Sequence, residues 1–134
     1  MIRRLALAAG ILGGLTAVYL VARRAIDVVE VEGRSMAPAL LPGDRLLVES
    51  LTFRRRTPRA GEMVLAPDPR TPQRELVKRV AALDAHAATL SLAGDAPDAS
   101  TDSRAFGPVP VREVRWRVVG RYWPPRSRSP RRPR

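Results

Sequence analysis

Ser35 in "GRSMAPAL" and Lys78 in "LVKRV" are residues of types suited to nucleophilic catalysis. A serine hydroxyl is a weak nucleophile at neutral pH and needs a neighbouring base to take its proton. The chain holds no cysteine and one histidine, which removes thiol catalysis and cysteine-bound metal centres. His86 lies in "DAHAAT", a hairpin-turn pattern of small and polar residues, and reads as a surface turn residue rather than a base. Lys78 has the more informative setting. If residues 74–83 form a strand, alternation puts Leu76, Lys78, Val80 and Ala82 on one face. An ammonium on an aliphatic face loses the hydration that stabilises its charge, leaving an amine able to accept a proton. A guanidinium cannot do this. The chain uses arginine 23 times and lysine once. Taken alone, a lysine snorkelling from a strand is the better explanation of Lys78; its weight as a base comes from the serine.

The elements that must position these residues are short. "DVVEVEG" (27–33), "DRLLVES" (44–50), "EMVLA" (62–66), "RELVKRVAAL" (74–83), "ATLSLAG" (88–94) and "EVRWRVVGRYW" (113–123) read as strands separated by Pro/Gly/Asp turn chemistry. Six such strands predict a mainly β fold, a small coiled domain with β-barrel character. Before them, residues 5–22 run 18 positions without a charge, close to the roughly 20 of a spanning helix. That stretch exceeds the apolar core of a cleaved leader, and no small-x-small pair precedes Arg23. The sequence therefore predicts a membrane anchor with arginine flanks (1–24), a β-rich domain (25–123) and a disordered Pro/Arg-rich tail (124–134).

The net charge of +11 divides unevenly. Residues 25–122 carry 15 basic and 13 acidic side chains, so basicity belongs to the ends, as membrane flanks and a solvated tail produce it. A lipid bilayer is thus the expected partner, and no nucleic acid is. Two arginines stand on each side of the anchor, and only the N-terminal amine, Asp27 and Glu30 tip the N-terminus inward. Ser35 lies 13 residues beyond Ala22, so it stands at most about 47 Å from the anchor's end.

Three stretches in order carry a resemblance. "GRSMAPAL" resembles the G-x-S-M-x-P nucleophile motif of the type I signal peptidases, membrane-anchored serine peptidases with a Ser/Lys dyad. "LVKRV" resembles the strand bearing their lysine, and "GDAPDASTDSRAFGPV" (94–109) is similar to their G-D-N-x-x-x-S-x-D-S-R-x-x-G segment with the same spacing. The resemblance implies Ser35 as nucleophile, Lys78 as general base, and Ser100 as the hydroxyl orienting the amine. Asp102 and Arg104 would pair to hold that loop, with a solvated surface pair as the plain alternative. Gly33 and Met36 would border the oxyanion and substrate, where the backbone N–H of Ser35 is one donor. Gly94 and Asp95 read as turn-shaping. No metal or cofactor is implied.

The chain departs from many bacterial members at Gly33, where they carry serine, and at Ala96, where asparagine follows Gly-Asp. Glycine at 33 is similar to the mitochondrial inner-membrane peptidases and to the peptidases of nickel-type superoxide dismutase maturation. Only 15 residues separate Lys78 from Gly94, which leaves no room for the second β-domain of longer members. The expected activity is removal of leader peptides from exported or membrane-inserted precursor polypeptides, at the cell membrane, single-pass, with the domain on the extracytoplasmic side. A dedicated peptidase for one metalloenzyme precursor is the narrower alternative. A non-catalytic anchored basic protein explains the tail but not the three motifs, and a self-cleaving repressor has no space for a DNA-binding module.

Overall fold

The computed structural model describes residues 2–101 and 103–123, with the backbone alone for residues 2–6 and 8; Asp102 and the tail 124–134 lie outside the described residues. Helix α1 (Ile2–Ala25) is built of Leu, Ala and other apolar residues that tolerate a helix, and Arg23 and Arg24 in its last turn complement its negative end. Leu7, Ile11, Leu15, Val18 and Val21 are all more than half exposed. These five share one side of the helix, but every residue from 9 to 21 is exposed, so no face of that stretch is buried against the domain. Among the described residues no helix is long and apolar enough to cross a membrane; the charge-free stretch 5–22 begins among residues whose side chains are not described.

The chain then enters one antiparallel sheet of seven strands: β1 (Ile26–Glu30), β2 (Arg45–Glu49), β3 (Met63–Asp68), β4 (Thr71–Asp84), β5 (Thr89–Ala93), β6 (Val109–Pro110) and β7 (Trp116–Trp123), with a one-turn helix α2 (Ser103–Phe106) before β6. Their spatial order is β1-β2-β7-β3-β4-β5-β6. All six expected strands form, each within a few residues of its expected bounds. The barrel does not: the sheet is open, with β1 and β6 as its edges. Strand β6, which the sequence pattern did not reveal, is two residues long and bounded by Pro108 and Pro110. Prolines lack the N–H that a further ladder would need, so the sheet stops there.

Two apolar clusters fill the concave surfaces. Val64, Ala66, Val80, Leu90, Leu92, Val109 and Val114 form one under β3, β4 and β5. Val31, Met36, Leu40, Leu46, Val48 and Val118 form the other, under β2, β7 and the loop between β1 and β2.

That loop carries Ser35, and it is held at both ends. Val31 N–H donates to the Asp44 carbonyl (2.8 Å) and Gly43 N–H to the Val31 carbonyl (2.8 Å), closing its neck. Gly43 turns there with φ of 88°, a conformation glycine adopts without a Cβ penalty. Asp44 is 3% exposed; its carboxylate accepts from Leu41 N–H (2.9 Å) and from Arg121 Nη1 (3.1 and 3.0 Å). Inside the neck, Met36 and Leu40 pin the loop to the second cluster.

A second ionic knot secures the turn before β3. Arg56 donates through both terminal nitrogens to the Glu62 carboxylate, and Arg59 N–H adds a third bond (2.9 Å). Arg117 Nε stands 3.2 Å from the same carboxylate. The Arg56 hydrogen bonds are the chief reason that Glu62 titrates at about 2 rather than 4.5, against the opposing effect of burial.

Two outcomes are expected. Asp44→Ala strands the largely buried Arg121 guanidinium and the Leu41 N–H, and should cost about 3 kcal/mol in denaturant unfolding; Arg45→Ala, which breaks an exposed pair with Glu30, should cost under about 1 kcal/mol. Since the Glu62 pKa is depressed by folding, its stabilisation is full above about 4.5 and is lost as pH falls through about 2. Glu62→Gln should therefore be less stable than wild type at pH 7, with the gap narrowing on acid titration through that window.

Candidate functional site

Strand β4 delivers Lys78 as alternation requires, up to a point. Lys78 is 2% exposed and Val80 1%, and Leu76 is half-buried on the same side. Ala82, expected on that face, is exposed, because the β4–β5 register shifts between Val80 and Ala82 and the alternation breaks there. Opposite Lys78, Val64 of β3 closes the apolar surroundings.

The Lys78 amine donates to Ser100 Oγ at 2.8 Å. Ser100 sits in the loop after β5, which packs directly on the loop of Ser35: Ala96 N–H donates to the Ser35 carbonyl at 2.9 Å. Gly94 is the point of closest approach. A Cβ built there would fall on the Ser100 hydroxyl and lie 2.5 Å from the Ser35 carbonyl oxygen. Ser35, Gly94, Ser100 and the Lys78 amine thus meet in one small volume, formed by three chain segments far apart in sequence. Gly94 is more than the turn-former its context suggests: any side chain there would force the two loops apart.

Arg79, next to Lys78, clamps this arrangement. It donates through Nε and Nη2 to the two oxygens of Asp95 (2.8 and 2.6 Å), and through Nη1 to the Gly61 carbonyl (2.9 Å). Such a bidentate bond fixes orientation as well as distance. The guanidinium holds the Asp95 carboxyl below the usual carboxylate range. The sequence pattern placed the loop's holding pair at Asp102 and Arg104. Asp102 lies outside the described residues, and Arg104 is exposed on α2. The Arg79–Asp95 pair went unread, although an arginine beside the candidate base and an aspartate beside Gly94 were its signal.

Beside Ser35 a groove of about 500 Å³ runs between residues 29–36 and residues 71–77, with Leu65 also lining it. Gly33 and Met36 both line it, yet Met36 is 1% exposed and packs mainly as core. Gly33 faces open space: a Cβ there meets nothing within 4 Å. His86 is exposed in the turn between β4 and β5, where Asp84 Oδ1 accepts its backbone N–H at 2.9 Å.

Residues 2–87 match the family model described as signal peptidase, peptidase S26. The chain is also similar to the mitochondrial ATP-independent inner membrane protease subunit 1a of Arabidopsis thaliana, 37% identical over 124 residues that cover 77% of this chain and 74% of the relative. The mitochondrial inner membrane protease subunit 1 of Xenopus tropicalis is 32% identical over 122 residues, covering 78% and 73%. Subunit 2 from Danio rerio is 31% identical over 121 residues, covering 73% and 64%.

The close approach at Gly94 makes a prediction independent of any activity. Gly94→Ala should lower unfolding stability by about 2 kcal/mol, as overpacking against backbone does, whereas Gly33→Ala should be nearly neutral. Equal stability of the two variants in chemical denaturation would contradict the packing described.

Proposed function

Because the chain belongs to the signal peptidase family, peptidase S26, we propose that it is a membrane-anchored serine endopeptidase that removes leader peptides from precursor polypeptides, with Ser35 as nucleophile and Lys78 as general base. The observation carrying this reading is the buried Lys78 amine, hydrogen-bonded to Ser100 Oγ in the volume that also holds the Ser35 backbone. At 2% exposure the amine lacks the water that would stabilise an ammonium, the condition base duty requires. Ser100 occupies one direction of the amine and so aims it, the positioning role assigned to it.

In the proposed cycle the Ser35 hydroxyl attacks the scissile carbonyl while its proton passes to the Lys78 nitrogen. The tetrahedral oxyanion is met by the Ser35 N–H and a second donor. Collapse breaks the peptide bond, and the departing amine takes the proton from Lys78. Water then hydrolyses the acyl-serine by the same proton route.

The groove supports an extended substrate. Strand β1 pairs only with β2, and β4 meets β5 only from Arg79 onward, so among the described residues both groove walls present an unpaired strand edge. A leader peptide could add as a strand to either edge with its scissile bond near Ser35. Bound this way, the peptide would take its affinity from main-chain bonds and its selectivity from alternate side chains.

The anchor reading rests on α1. An apolar helix exposed on every side and free of charge over 18 positions has to be covered, and a bilayer covers it without further partners. The relatives named for an inner membrane support a membrane location; a single pass at the cell membrane with the domain on the extracytoplasmic side belongs to the proposal alone. The domain limits 1–24, 25–123 and 124–134 are retained as part of this proposal.

Ser35→Ala and Lys78→Arg should each abolish cleavage of a leader-bearing precursor, with loss of at least about 1000-fold in kcat. Ser100→Ala should lower kcat by about 10- to 100-fold with little change in KM, as expected of a group that positions the base. Cleavage by either of the first two variants at the wild-type rate would refute the dyad.

A further inference from the structure

Away from the groove, at the foot of α1, a second cavity of about 450 Å³ is lined by Arg24, Arg54, Arg112 and Arg115, together with Ser50 and Phe53. Among the described residues no carboxylate lines it. Elsewhere in the domain Arg45, Arg56, Arg70, Arg79, Arg117 and Arg121 each pair with an acid. Among the described residues the four arginines of the cavity have no such partner. Like charges gathered on one wall repel, and that repulsion is relieved only by an anion or by salt.

A second observation is independent of charge. Ser50 is 8% exposed, and its hydroxyl is buried with no hydrogen-bond partner among the described residues. Its backbone N–H is used elsewhere, donating to the Ala25 carbonyl at 2.9 Å and tying the end of β2 to the last turn of α1. A buried hydroxyl without a partner costs free energy unless a ligand or water completes it. Aliphatic residues would fill this position at no such cost.

We infer that this cavity is a binding site for a phosphate group. Guanidinium groups match phosphate oxygens in planar, bidentate geometry, four of them outweigh the two charges of a phosphomonoester, and the hydroxyl adds a neutral contact. The location suggests where the phosphate comes from. Arg24 belongs to the last turn of α1; if α1 spans a bilayer, as proposed above, the cavity lies at headgroup depth. An acidic lipid seated there would fix the domain's attitude to the membrane from which its substrates emerge. A free phosphate would use the same groups.

The test uses the full chain in a non-ionic detergent at 0.1 M salt. Dihexanoyl phosphatidic acid, dihexanoyl phosphatidylcholine and inorganic phosphate are each titrated by calorimetry. Saturable one-site binding of phosphatidic acid is expected, weakened at least tenfold in Arg54→Gln/Arg112→Gln and within twofold of wild type in Arg45→Gln/Arg59→Gln, which removes equal charge elsewhere. Equal binding of inorganic phosphate would mark free phosphate as the ligand; a response to phosphatidic acid alone would mark the headgroup. Ser50→Ala should weaken binding while leaving the ligand-free protein as stable or more so. Absence of saturable binding, equal loss in the control variant, or phosphatidylcholine binding as tightly as phosphatidic acid would overturn the proposal. Leader-peptide cleavage by Arg54→Gln/Arg112→Gln is expected to stay at the wild-type rate, so the fate of this site and that of the peptidase reading are read separately.

Discussion

The structure turns on how two loops and a strand are packed around one amine. Lys78 is buried on β4, and its nitrogen bonds to Ser100 on a loop that itself lies on the loop of Ser35. Every other feature of the site serves that contact. Gly94 allows it by leaving out a side chain; Arg79 and Asp95 fasten it across 16 residues of sequence. The Asp44–Arg121 pair and the burial of Met36 and Leu40 keep the serine loop from moving away. A lysine in such a place is costly if charged, and the surrounding bonds are what make the cost bearable.

The same economy explains the open sheet. The free edges of β1 and of the first half of β4 are the walls of the groove beside Ser35. Exposed strand edges invite unwanted association. Here one end is stopped by prolines at β6, and the other, β1, is left unpaired on its outer side among the described residues. The length of β4 belongs to the same arrangement, since its first half pairs with β3 on one side while β5 joins only from Arg79 onward.

Much of this was legible in the sequence because it rests on local rules. Period-two alternation bounded by Pro, Gly and Asp located six strands, and the resemblance of three motifs, more than residue chemistry alone, drew attention to Ser35 and Lys78. What stayed hidden depends on tertiary approach. Gly94 looks like any glycine before an aspartate until Ser35 and Ser100 are seen on either side of it. Arg79 and Asp95 are two charges among many until the hairpin brings them together. Ala82 left the expected face through a register shift that no local pattern announces. Strand β6 is too short, and too rich in proline, to read as a strand.

The single lysine offers a direct look at the central claim. With lysine labelled by nitrogen-15 at the side-chain amine, the chain yields one resonance, and its shift can be followed against pH in the folded, detergent-solubilised protein. The account predicts that this amine titrates below the ordinary lysine value of about 10.4, and that Ser100→Ala moves its titration. An amine that titrates as a solvent-exposed lysine does, indifferent to Ser100, would contradict it.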